Sequence, residues 1–175
     1  MHWYEIKNID TIDSPALGIY PQRIQENIRL LKSMVNNEVA RLRPHVKTNK
    51  IAEVCAMMLD TGITKFKCAT IAEAEMLAMI KAPDVLLAYQ PVGPKAGLFV
   101  SLCFQYPATR FSCVIDNIYL AEQLSKLCHA SKITAIVFID LNTDMNRTGV
   151  QSAGTLLLYE ALCLLPAVNV VGLHA

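Results

Sequence analysis

An excess of charge of either sign is missing from this sequence, in which 16 basic residues meet 15 acidic ones for a formal net charge of +1. A near-neutral chain has no long-range field to gather nucleic acid or anionic membrane, so neither is expected as a partner. Long hydrophobic runs are missing too. The longest, such as residues 134–139 and 168–173, fall far below the roughly 20 residues of a membrane-crossing helix. The opening Met1-His2-Trp3-Tyr4-Glu5-Ile6-Lys7 has neither the basic-then-apolar order of a secretory leader nor a transit-peptide composition, so export is not expected. The six cysteines include no C-x-x-C pair and no histidine at zinc-finger spacing, which excludes a disulfide framework and a zinc module. Their apolar neighbours suit buried free thiols in a reducing cytoplasm. Neither G-x-G-x-x-G nor G-x-x-x-x-G-K-[ST] follows the early strands, so the phosphate cradles of open nucleotide-binding sheets are absent.

What is present is a core. With 175 residues, 53% hydrophobic and 18% charged, the chain fits one compact domain. A short extended segment at 14–20 leads through Pro21 into a helix whose stripe is Ile24, Ile28, Leu31 and Val35. Strands are expected at 42–47, 64–69, 84–88, 110–115, 134–141 and 168–174. Helices are expected between them at 51–59, closed by Gly62, and at 71–80, 96–104, 116–129 and 153–165. Thr70 with Glu73 reads as a capping box, and Asp116 as an N-cap. Such βα alternation predicts parallel strands joined by right-handed crossovers, in an open sheet or a (β/α)8 barrel. Without phosphate-cradle motifs the barrel is favoured. About six βα units of the usual eight are present, so the expected fold is a partial (β/α)8 TIM barrel, and the chain is expected to be part of a longer protein.

The octapeptide Arg43-Pro44-His45-Val46-Lys47-Thr48-Asn49-Lys50 breaks the apolar pattern of a buried parallel strand. At the two-residue strand period Arg43, His45 and Lys47 share one face, and Lys47 ends the strand where barrel enzymes place catalytic groups. A partly desolvated amine near other cations is readily neutral and can attack an aldehyde. By residue chemistry alone, a nucleophile and a solvated strand-end lysine are equally good readings of Lys47. A second strand end carries Asp140-Leu141-Asn142-Thr143-Asp144-Met145-Asn146-Arg147-Thr148-Gly149, where Arg147 can grip an anionic oxygen and Gly149 permits a tight turn. His174 ends the last strand; a histidine so placed is more often packed or hydrogen-bonded than catalytic. Tyr89 and Gln90 end the third strand within reach of a ligand, and Lys50 reads as a solvated neighbour.

These segments, with Asp13-Ser14-Pro15-Ala16-Leu17, Ala69-Thr70-Ile71-Ala72-Glu73-Ala74-Glu75, Tyr89-Gln90-Pro91-Val92-Gly93-Pro94 and Gly172-Leu173-His174-Ala175, stand in the order of a known family. The chain resembles the fold-type III pyridoxal-phosphate enzymes, in the D-threonine aldolase and D-serine dehydratase branch, with an alanine racemase N-terminal-like barrel. The resemblance implies residues 1–22 as a segment leading from a β-domain and residues 23–175 as an incomplete cofactor-binding barrel. It implies pyridoxal 5′-phosphate in Schiff-base linkage to Lys47, Arg147 on the cofactor's phenolic oxygen and His174 against its pyridine ring; His45, on the Lys47 face by the strand period, is a further candidate for cofactor binding. The implied activity is retro-aldol cleavage of a D-β-hydroxy amino acid to glycine and an aldehyde, with a D-serine dehydratase or an amino-acid racemase as alternatives. From another class, a non-enzymatic cofactor carrier or an inactive barrel fragment stays open. A divalent metal belongs to the family's full-length proteins, but no residue of this chain is assigned to it, and family members commonly form homodimers. Asp144 stands where the family carries glycine, and Asn49 where it often carries histidine.

Overall fold

The structure, a computed structural model, describes His2 and residues 4–175. Met1 and Trp3, on which the reading of the N-terminal segment begins, lie outside the described residues. Helix α1 (Pro21–Ser33) starts on a proline, whose missing N–H costs nothing in a first turn. Its stripe turns inward as expected: Ile28 is buried, with Ile24, Leu31 and Val35 packed against the core. Then α2 (Ala52–Asp60), β1 (Lys65–Cys68), α3 (Ile71–Met79), β2 (Asp84–Leu87) and α4 (Pro94–Gln105) follow, with β3 (Arg110–Ile115), α5 (Ile118–Ala130), β4 (Ala135–Asp140), α6 (Thr155–Cys163) and β5 (Val168–His174) completing the order. Gly62, at φ +91°, closes α2 in the left-handed region that a C′ glycine adopts freely.

All neighbouring strands are parallel and their order is β1-β2-β3-β4-β5 without reversal. A doubly wound open sheet reverses its order at a switch point. A strictly sequential order is that of a barrel wall.

One face of that wall is apolar. Phe66, Cys68, Val85, Leu87, Cys113, Val137 and Ile139 pack beneath the helices in one core. The other face carries Lys65, Lys67, Asp84, Arg110, Ser112, Phe138 and Asp140, which by the two-residue period look into the lumen. Gly172 is paired with Phe138, and a Cβ there would sit 3.3 Å from the Phe138 ring. Four of the cysteines are buried and all six are free thiols; burial pushes Cys68 up to about 12 and Cys55 up to about 11. Among the described residues no helix is long and apolar enough to cross a membrane.

The expected strand at 42–47 is not formed. Only His45 bridges to Lys67, in parallel sense, so the sheet has five strands where six were expected. Pro44 has no N–H to offer a ladder, and its carbonyl instead accepts from the Lys67 N–H at 2.9 Å. Beyond the bridge, Val46–Thr48 winds into a 3₁₀ turn, held by the Lys47 N–H donating to His45 Nδ1 at 3.2 Å. The strand period therefore does not govern Lys47.

Candidate active site

The two ends of the lumen have opposite characters. At the N-terminal strand ends Asp84 binds two guanidiniums, Arg43 at 2.5 Å and Arg110 at 2.9 Å, and Arg43 also donates to the Phe66 carbonyl. This ion group ties the 42–47 segment to β2 and β3, and it occupies Arg43. Arg43 is thus held on the lumen side by Asp84 rather than in the polar row at the strand ends, although its charge still reaches Lys67.

At the C-terminal strand ends a row of polar groups runs across the wall. His174 Nδ1 lies 2.6 Å from Asp140 Oδ1, and His174 Nε2 lies 2.9 Å from Lys67 Nζ. A carboxylate only accepts, so Nδ1 carries the ring proton and faces Asp140. The other oxygen of Asp140 accepts from Gln90 Nε2 at 3.1 Å, and the same amide donates to Asp116 Oδ2 at 2.8 Å. Asp116 Oδ2 also accepts the Gly149 N–H at 3.3 Å. Gln90 and Asp140 are 6% and 5% exposed, so these bonds are made away from water, where an unmade one is costly.

Asp116 takes part because it does not cap α5. Asn117 does, its side chain accepting from the Leu120 N–H at 3.0 Å, which corrects the expected N-cap by one residue. The Thr70 cap holds as expected: Thr70 Oγ1 accepts from the Glu73 N–H at 3.1 Å. Glu73 then reaches back to the Ala69 N–H at 2.8 Å, one residue before the N-cap. Lys50, exposed, pairs with Glu73 at 3.8 Å.

Arg147 stands on an exposed loop built by Asn142, which accepts from the Asn146 N–H at 3.1 Å and donates to the Asn146 side chain at 3.0 Å. Gly149 closes this loop at φ +97°, where a Cβ would lie 2.5 Å from Leu141 C and Asn142 N. Glycine is required there by space as well as by conformation. Among the described residues no ion pair joins Asp144 to Arg147; the Arg147 guanidinium instead lies 3.4 Å from Met145 Sδ. A cavity of about 170 Å³ opens between the loop and the strand ends, and Lys67, Asp140, Asn142, Arg147 and His174 are among its walls.

Lys47 is exposed in its 3₁₀ turn and does not line that cavity, yet its charge reaches the groups that do. Burial first, then Lys47, push the Lys67 amine below its ordinary value; Arg43 adds to the push and Asp140 opposes it. Burial, followed by Lys47 and Lys67, likewise holds the half-buried His45 below its ordinary value, against Glu73. The charges of Lys47, Lys67 and His174 thus all act on His45, while Arg147 shares a cavity wall with Lys67 and His174. Tyr89 is exposed, with the Lys95 amine 5.0 Å from its ring. Among the described residues no group of three or more His, Cys, Asp or Glu is arranged to hold a metal ion.

Lys67, Asp140, Asp116 and Gln90 are the residues whose roles sequence reasoning missed. Lys65-Phe66-Lys67-Cys68 alternates polar with apolar just as residues 43–47 do, and that was the available signal for Lys67. Nothing local to Gln90 or Asp116 announces their pairing, which depends on the wall's curvature.

The family model for the alanine racemase N-terminal domain matches residues 19–175. The chain is 28% identical over 148 residues to D-threo-3-hydroxyaspartate dehydratase of Delftia sp. (strain HT23), covering 85% of this chain and 38% of that protein. It is 26% identical over 166 residues to D-threonine aldolase of Arthrobacter sp, covering 94% and 43%. Among solved structures it is similar to D-threonine aldolase from Filomicrobium marinum, with TM-score 0.83 and 25% identity over 92% of this chain and 43% of that one. The chain thus spans about two fifths of the length of the relatives it matches.

Proposed function

From the premise that the chain belongs to the alanine racemase N-terminal domain family, we propose that it is the barrel portion of a pyridoxal-phosphate-dependent lyase acting on D-β-hydroxy amino acids. The relatives it matches are a D-threo-3-hydroxyaspartate dehydratase and a D-threonine aldolase, in keeping with the fold-type III pyridoxal-phosphate enzymes that its sequence resembles. The observation that supports the reading is the meeting of Arg147 and His174 at one strand-end cavity, with Lys47 outside its walls but near enough for its charge to act on Lys67, which lines it.

The donor set fits the cofactor. An aldehyde needs an amine, a phenolate oxygen needs a cation, and an aromatic ring needs a planar neighbour; Lys47, Arg147 and His174 supply these in turn. The mouth is rich in cations, and its nearest carboxylate, Asp140, already accepts from His174 and Gln90, so little uncompensated negative charge opposes an anionic ligand. Lys47 would hold the cofactor covalently, Arg147 its phenolic oxygen and His174 its ring. When bound, the cofactor supplies an electron-accepting ring that stabilises charge developing at the substrate's α-carbon. The protein's part is orientation. Asp140 fixes His174 through Nδ1, and the Asn142–Asn146 bonds fix the loop that aims Arg147. The choice of bond broken follows from how the substrate is held, and cleavage between Cα and Cβ is the proposed outcome.

β-Elimination is the second reading, supported by similarity to a dehydratase. Incubating the full-length protein with D-threonine, D-serine and L-alanine, with and without a divalent cation, separates the outcomes. Glycine and acetaldehyde from D-threonine are expected. Ammonia and a 2-oxo acid as the products would favour the second reading, and interconversion of alanine enantiomers alone would replace both with a racemase.

A further inference from the structure

Lys67 has no task in the function proposed above, yet its placement is unusual. It belongs to β1 and His174 to β5, the two edges of the sheet. Four strand intervals separate them, roughly 19 Å across a flat sheet at the usual spacing. Nevertheless Lys67 Nζ and His174 Nε2 are 2.9 Å apart. The contact crosses the lumen, and only a curled wall permits it.

The imidazole is therefore gripped at both nitrogens. Asp140 accepts a hydrogen bond from Nδ1–H at 2.6 Å, which leaves Nε2 as an acceptor for the Lys67 ammonium. Asp140 is braced in turn by Gln90, Gln90 by Asp116, and Asp116 by the Gly149 N–H, two residues beyond Arg147. A single hydrogen-bonded row thus runs from the Arg147 loop to Lys67. An apolar side chain would pack in the lumen at lower cost than a lysine, whose charged form is disfavoured there by burial and by Lys47 and Arg43, with Asp140 the opposing influence. The bond to Nε2 is what such a lysine contributes that an apolar residue cannot.

We propose that Lys67 is a positioning residue of the active site: from across the lumen it fixes the ring plane and the Nδ1–H tautomer of His174, and so sets the face His174 presents to a bound cofactor. This rests on the pyridoxal-phosphate reading of the site. A metal-bound histidine is held in the same manner, by a partner on its second nitrogen. Here both nitrogens are committed to protein, which leaves the ring its flat face for a ligand.

The test uses the full-length protein labelled with 15N-histidine, His174 being assigned by its absence in His174→Gln. Long-range 15N–1H correlation is expected to show Nδ1 protonated and Nε2 displaced from the free-acceptor position by the lysine's N–H. Lys67→Met should return Nε2 to that free position, and Lys67→Arg should restore the displacement. In the cofactor-loaded enzyme Lys67→Met is expected to lower kcat by about 10- to 100-fold with KM little changed, as for a misplaced group, with most of the loss recovered in Lys67→Arg. An Nε2–H tautomer in the unmodified protein, which needs no variant to observe, would overturn the inference. So would an Nε2 resonance that Lys67→Met leaves in place. The nitrogen signature requires no cofactor: its presence without a cofactor absorbance band would sink the pyridoxal-phosphate reading alone, and a band without the signature would sink this inference alone.

Discussion

Replacing Asp140 by asparagine changes the shape of the side chain hardly at all but leaves it with one acceptor where there were two. In the native arrangement Oδ1 accepts from His174 and Oδ2 from Gln90, whose amide also donates to Asp116. If the asparagine oxygen keeps His174, its NH2 meets the NH2 of Gln90. If Gln90 flips to present its oxygen, that oxygen meets the Asp116 carboxylate. Either way one bond fails at a site where Gln90 is 6% exposed. A buried polar group left unpaired costs about 1–3 kcal/mol, and the weakened bond to His174, no longer charge-assisted, adds about 1 kcal/mol. The expected loss is about 3 kcal/mol. Urea unfolding followed by circular dichroism reads it as a fall in midpoint of about 1–2 M, given ordinary denaturant slopes. Asp144→Asn, on the exposed loop, is the control and should stay within about 0.5 kcal/mol of the parent. If Asp140→Asn matched that control, the hydrogen-bonded row would not be a structural unit.

Gly149→Ala would force a Cβ to within 2.5 Å of the backbone at Leu141 and Asn142, at φ +97°. The loop must rebuild, at about 2–3 kcal/mol, and Arg147 moves with it, so cofactor titration followed by absorbance should show affinity reduced at least about tenfold; unchanged affinity would argue that Arg147 does not hold the cofactor. His45 is held below its ordinary 6.5 when folded, by burial and then by Lys47 and Lys67. The unfolded chain therefore binds the proton more readily, and stability falls as pH drops through the window below 6.5. His45→Phe removes that contribution, and its unfolding midpoint should change less than the parent's between about pH 7 and about pH 5; equal slopes would contradict the assignment.

Most of the architecture was legible because it follows from local rules. Apolar runs spaced for βα alternation located β1 to β5, and β5 was placed at its observed bounds, Val168–His174. His174 ends a strand as the apolar run before it implies, and Gly149 stands at a turn that only glycine fits. The segment at 42–47 misled because its polar alternation imitates a strand, while Pro44 and the 3₁₀ turn at Val46–Thr48 prevent one. The same alternation in Lys65–Cys68 is genuine, and its lysine, not Arg43, reaches the mouth of the lumen. Two adjacent polar residues at 116 and 117 are equally good caps on paper; the choice falls to Asn117 because Asp116 has buried partners. Those partners lie on other strands, and their convergence depends on curvature, which no local pattern encodes.

In the proposed function Lys47 is the covalent anchor of a pyridoxal-phosphate site. Borohydride reduction of the cofactor-loaded full-length protein, followed by peptide mapping, tests it most directly. Lys67 is the competitor that makes the test demanding, since burial and the Lys47 charge push its amine toward the neutral, reactive form. The cofactor's mass is expected on the peptide containing Lys47 and not on the peptide containing Lys67. Label on Lys67, or on any lysine other than Lys47, would contradict that assignment.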